Sequence, residues 1–136
     1  MVKPIMRDAF FLNQKSEEAT KVDMPVAQDL EDTLKANRER CVGMAANMIG
    51  YRKRIIIVAT GLADMVMINP VITEKSEPYE TEEGCLSLPG VRKTTRYKKI
   101  TVRYLDKKFA EHTQSFSGYI AQIIQHECDH LEGVLI

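Results

Sequence analysis

The stretch FSGYIAQIIQHECDHLEG, residues 116 to 133, constrains the fold more than any other part of this 136-residue chain. Ser117 is a capping residue type at its start and Gly133 a helix stop at its end, with apolar residues at helical spacing between them. On that helix His126 and His130 stand four apart, so they share one face about one turn from each other. Glu127 adjoins His126 and projects near the same side. Two neutral imidazoles can hold a metal ion there while the carboxylate handles a proton, which is the physical content of an HExxH pattern. Ile123 and Tyr119 lie one and two turns earlier on that face and would give the ion an apolar wall. Two histidines on a solvated last turn would show the same spacing, so the decision falls to a third ligand elsewhere in the chain.

Cys85 is the candidate. It lies in EEGCLSLPG, a small-residue turn bracketed by Gly84 and Pro89, which is a poor setting for a merely packed cysteine. A thiolate with two imidazoles leaves a fourth tetrahedral position open, as a catalytic site requires. The other cysteines fit less well. Cys128 falls on the far side of the helix from His126 and His130 and reads as a small core residue. Cys41 sits outside any ligand-like spacing, and His112 stands alone in a polar stretch and reads as solvated. HExxH alone would also suit a zinc endopeptidase, but an upstream cysteine in place of a downstream histidine or glutamate argues against one.

Composition limits the partners. Lys and Arg number 19, Asp and Glu 19, for a formal net charge of zero. No global field therefore draws the chain to DNA or to a membrane surface. No apolar run approaches the roughly 20 residues that a membrane span needs. The N-terminal MVKPIMRDAFFLNQKSEEAT lacks the apolar core of a signal peptide. Three cysteines, an odd number without framework spacing, favour a reducing cytosol. The length suits a single domain, residues 1–136, around one core.

From Asp23 the segment DMPVAQDLEDTLKANRER offers a cap, an early proline, and Val26, Leu30 and Leu34 at helical spacing, which predicts a first helix. RIIIVAT (54–60) predicts a buried strand. MVMINPVIT (65–73) predicts another, which Pro70 marks as an edge or a bulge. EKSEPYETEE (74–83) reads as an acidic loop, and KITVRYLD (99–106) as an alternating strand. The basic run RKTTRYKK (92–99) could touch RNA, but it flanks a strand and the acidic segment balances it, so it reads as a solvated strand edge. Strands in the middle and a helix near each end predict an α+β fold.

Three motifs, in order, give the chain a family resemblance. QHECDH (125–130) matches QHExDH, EGCLS (83–87) is a direct match, and CVGMAANM (41–48) stands against GxGxAAxQ. With these the chain resembles the peptide deformylases, from about Val2 to Ile136. The resemblance implies antiparallel or mixed sheets packed around a C-terminal metal-binding helix, with an N-terminal helix. It implies that Cys85, His126 and His130 bind Fe²⁺ natively, or Zn²⁺ or Ni²⁺ as isolated. It further implies removal of the N-formyl group from N-formylmethionyl nascent peptides in the bacterial cytoplasm, with at most a transient association with the ribosome. Glu127 would be the general base and then the general acid, and the Leu86 backbone N–H an oxyanion donor. Glu83 would support the loop or a ligand from behind. Arg92 matches an arginine near the peptide path, Gly43 a glycine that pairs with extended substrate, and Val42, Tyr119 and Ile123 positions lining the methionine pocket.

Two departures fall in the first motif. Cys41 replaces a glycine. Met48 replaces the glutamine whose amide is the family's other oxyanion donor, and Asn47 points differently from its neighbour and cannot simply replace it. Loss of one such donor typically costs on the order of 10²–10³ in turnover. A catalytically weak paralogue that binds metal and formyl peptides is thus the alternative to a full hydrolase.

Overall fold

A run such as Ile55-Ile56-Ile57-Val58, with no polar alternation, is stable as a strand only where both of its faces are covered. The computed structural model describes the chain from Met1 to Ile136 and meets that requirement. Strand β2 (Ile55–Ala59) has all four of these side chains fully buried. Helices α2 (Met24–Ala36) and α3 (Gly118–Leu131) both pack against it. Successive strand side chains point to opposite faces, so the two helices cover the two sides. Each aliphatic side chain removed from water in this way contributes about 1.5–3 kcal/mol. This helix–strand–helix layer is the centre of the core.

The first long helix forms as its pattern predicts, with Pro25 in its first turn and Val26, Leu30 and Leu34 buried. Asp23 occupies the N-cap position, but its carboxylate accepts from the backbone N–H of Thr20 and so closes the preceding turn instead. A one-turn helix, α1 (Ala9–Leu12), escapes sequence reading because four residues carry no periodicity; Asp8 caps it and Leu12 is fully buried.

Five strands form one antiparallel sheet in chain order: β1 (Gly43–Ala45), β2, β3 (Asp64–Gly84), β4 (Val91–Leu105) and β5 (Glu111–Ser117). With α3 packed on β1, β2 and β4, the fold is α+β as expected. Pro70 makes a bulge, not an edge. Ile68 pairs with Ile55 on one side and Leu105 on the other, and the β3–β4 register slips between Ile68 and Val71.

One expectation needs correction, and another holds over a longer strand than expected. Residues 74–83 are not a loop. They are the outer half of β3, paired residue by residue with β4 from Glu74 opposite Thr101 to Gly84 opposite Val91. The basic run is likewise strand, and the two segments pair acid against base, as in Glu82 opposite Lys93 and Glu83 opposite Arg92. An arm exposed on most of both faces has no apolar alternation to read; opposite charges across the ladder support its pairing instead. No helix is long and apolar enough to cross a membrane.

The bulge depends on Asn69. Its φ is +50°, and its amide accepts from the Ala19 N–H at 2.8 Å and donates to the Ala19 carbonyl at 3.0 Å. Asn69→Ala is expected to destabilise the protein by roughly 2–4 kcal/mol, from left-handed strain and two lost hydrogen bonds. Asn69→Gly should recover only the strain. Urea unfolding of the three proteins gives both differences.

Candidate metal centre

Helix α3 buries polar side chains on the face where an amphipathic helix is normally apolar. Along it Ile123, His126, Glu127 and His130 are all buried, with His130 at 0% exposure. Gly133, just past its end, has φ +76°, and a Cβ there would lie 2.5 Å from the Asn13 carbonyl oxygen, so only glycine lets the chain turn away. At the other end Ser117 holds the cap position without a side-chain hydrogen bond to the helix.

The β3–β4 arm delivers the third residue. Its connection, residues 85–90, begins with Cys85, whose Sγ lies 3.3 Å from His130 Nε2; that nitrogen is 3.2 Å from His126 Nε2. The three donor atoms all lie within 4.8 Å of one another. A tetrahedral ion with bonds of about 2.0–2.3 Å needs ligand–ligand edges of about 3.3–3.7 Å, so the group is of the right size. One buried atom reinforces the fit. Glu127 Oε1 has no hydrogen-bond partner in the protein, and a buried carboxylate oxygen is costly to leave unmatched.

Behind the ligands lies a charged network. His126 Nδ1 donates to Glu83 Oε1 at 2.8 Å, which fixes the ring and turns Nε2 toward the other ligand atoms. Arg96, only 4% exposed, donates from Nη2 to Glu83 Oε1 at 2.7 Å and from Nη1 to Asp129 Oδ2 at 2.6 Å. Gln122 adds a bond to Glu83 Oε2 at 2.8 Å. Burial pushes the Glu83 carboxyl up, but the bonds from His126, Arg96 and Gln122 outweigh it and bring the pKa to about 2. Glu127 has no such support, and burial raises its pKa to about 7.

A cleft of about 480 Å³ opens onto this centre, within the usual range for a ligand site. Val42, Gly43, Met48, Leu86, Tyr119 and Ile123 all line it, together with Cys85, His126 and Glu127. Tyr119 is 63% exposed at the mouth while Ile123 is buried. Gly43 fits because a Cβ would come 2.7 Å from Ile123 Cγ2 and 3.0 Å from Glu127 Oε2. Arg92 is outside the lining; it reaches the Pro89 carbonyl at 3.4 Å on the flank of the cysteine loop. Cys128 is half-buried against the core, and His112 bonds Asp106 at 2.8 Å on β5, so neither joins the centre. Cys41 does line the cleft, where its thiol donates to the Gly43 carbonyl.

Sequence reading missed Arg96, Asp129 and Gln122. Arg96 belongs to the basic run expected to be solvated, and burial of that one side chain corrects the expectation. Glu83 beside a ligand loop and Asp129 between two ligands call for a buried cation, but residues 92–99 offer five Lys and Arg without saying which.

A cysteine and two helical histidines beside a buried glutamate define a metal-dependent hydrolase with a single-ion site. The description "Polypeptide deformylase" belongs to the family model that matches residues 3–136. The chain is 61% identical to the peptide deformylase of Clostridium beijerinckii over the full length of both. It is also similar to solved structures. An actinonin-bound class I type b peptide deformylase from Acinetobacter baumannii superposes with a TM-score of 0.88 at 32% identity, covering 99% of this chain and 95% of the other. The Thermotoga maritima enzyme gives 0.89 at 31% identity with the same coverage. The chain belongs to the polypeptide deformylase family.

Two variants test the supporting network. Glu83→Gln is expected to weaken metal binding by about 10–100-fold, read by chelator competition. Arg96→Met strands a buried carboxylate and should cost about 3–5 kcal/mol in urea unfolding.

Proposed function

We propose that the chain removes the N-formyl group from N-formylmethionyl peptides in the bacterial cytoplasm, as one domain spanning 1–136. Cys85, His126 and His130 hold a divalent ion, Fe²⁺ natively with Zn²⁺ or Ni²⁺ as substitutes. The single observation that carries this reading is the orphaned, buried Glu127 carboxylate beside three converging donor atoms. When bound, the ion supplies Lewis-acid polarisation and lowers the pKa of water toward about 7.

Glu127 takes a proton from the attacking water and returns it to the leaving amine nitrogen. A carboxyl held by burial near 7 suits both halves of that task, since it gains and loses a proton at neutral pH with little cost either way. The Leu86 backbone N–H makes no hydrogen bond within the protein and is free to donate to the formyl oxygen as charge builds there. Ile123, Tyr119 and Val42 receive the methionine side chain. Gly43, in the edge strand β1, offers backbone groups to an extended peptide. Arg92 steadies the peptide beyond the cleft. Contact with the ribosome is transient.

Met48 supports a second reading, slow turnover. Its Sδ accepts from the Ala45 N–H at 3.4 Å, so the side chain is turned back on its own loop and brings no donor to the cleft. Asn47 does not replace it, because its amide donates to the His130 carbonyl at 2.9 Å and lies outside the cleft lining.

Formate release from a formyl-Met peptide by the Fe²⁺- or Ni²⁺-loaded protein is the test. Release well above the blank is expected, and its absence with metal bound would overturn the proposal. Glu127→Gln should lower turnover by about 10²–10⁴-fold with metal content unchanged. Met48→Gln should raise kcat by about tenfold or more, as a regained oxyanion donor would. A fast parent enzyme with no gain would eliminate the slow-turnover reading.

A further inference from the structure

Residues 85–90 make no backbone–backbone hydrogen bond at all, although the strands on either side pair right up to Gly84 and Val91. The loop that carries a metal ligand and the proposed oxyanion donor is therefore not held by its own main chain. Ser87 Oγ is buried without a hydrogen-bond partner, so the loop's own side chains hold it only by packing, through the buried Leu88. The hydrogen bonds that fix its main chain come from outside it, and one is the Arg92 bond to the Pro89 carbonyl at 3.4 Å. Arg7 donates from Nη1 to the Leu86 carbonyl at 2.8 Å, across 79 residues of sequence. Next to it in the chain, the Met6 backbone N–H donates to the Met48 carbonyl at 2.7 Å.

Adjacent residues thus bind the two segments that flank the formyl end of the cleft. Met48 ends the first motif, Leu86 follows the cysteine ligand, and both line the cleft. The Arg7 guanidinium forms no ion pair that would divert it, and Arg7 lines the outer side of the same loop. A guanidinium is a rigid planar donor, so a bond from it sets direction as well as distance. Holding the Leu86 carbonyl restricts rotation of the residue whose own N–H must aim into the site.

We propose that Met6 and Arg7 form a clasp across the mouth of the centre, and that Arg7 is a positioning residue which aims the Leu86 N–H at the reacting oxygen. This rests on the reading of Leu86 given above. Because Arg7 is exposed and its one hydrogen bond goes to the Leu86 carbonyl, its role is in geometry and not in stability. Loss of an interaction that counts only as charge develops lowers kcat and kcat/KM together and leaves KM in place.

The experiment compares the full chain with Arg7→Met and Arg7→Lys, each Ni²⁺-loaded for turnover and zinc-loaded for NMR. Arg7→Met is expected to lower kcat about tenfold with KM within about twofold, since small misplacement of an oxyanion donor is costly. Backbone ¹⁵N order parameters at Leu86 and Ser87 should fall from rigid values near about 0.85 toward about 0.6, with those of α3 unchanged. Arg7→Lys, which keeps a donor but loses the planar fork, should recover part of both. Order parameters that do not move in Arg7→Met would overturn the clasp, as would a loss confined to KM or a kcat change under twofold. If the parent protein releases no formate, the functional reading fails, and the order parameters alone decide whether the clasp exists.

Discussion

Burying a charged carboxylate behind two histidines is the constraint on which the rest of this structure depends. Glu83 is nearly inaccessible, yet three side chains keep it ionised, with Arg96 supplying the positive charge. That charge orients His126, and the position of His126 sets where His130 and Cys85 can meet it. Taking such groups out of water costs several kcal/mol each unless their hydrogen bonds are complete. Arg96 spans Glu83 on β3 and Asp129 on α3, so the same contact that balances the charge also pins the hairpin arm to the helix.

The core supplies the rigidity. With β2 enclosed between α2 and α3, the site face of α3 cannot rotate without exposing Ile124 and Leu131, both fully buried. The close approach of β1 leaves no room for a side chain at Gly43, where Ile123 and Glu127 fill the space. A carboxylate held in so dry a place is poorly suited to being a permanent anion and well suited to exchanging a proton. The weaker side of the cleft is the first motif, where Met48 folds back on Ala45 and contributes packing but no donor.

Local features of the sequence were sufficient for the parts of the fold that local physics controls. The spacing of His126 and His130 fixes their shared face, and the IIIV run fixes a strand covered on both sides. Cys85 could be singled out because a turn of small residues gives a cysteine little to pack against. The outer arm was not legible in the same way. Residues 74–84 pair with 91–101 through main-chain bonds and opposite charges, and an exposed polar strand has no hydrophobic period. Arg96 was hidden for a related reason. Within a run of basic residues nothing local distinguishes the one that is buried, because a carboxylate 13 positions away decides it. Arg7 lies still further from its partner, and a bond to a main-chain carbonyl leaves no mark on the partner's identity.

X-ray absorption at the metal edge of the zinc-loaded protein tests the central assignment most directly. One sulfur at about 2.3 Å with two imidazole nitrogens at about 2.0–2.1 Å is the expected first shell. A shell of nitrogen and oxygen with no sulfur would contradict it, since Cys85 would then not be a ligand.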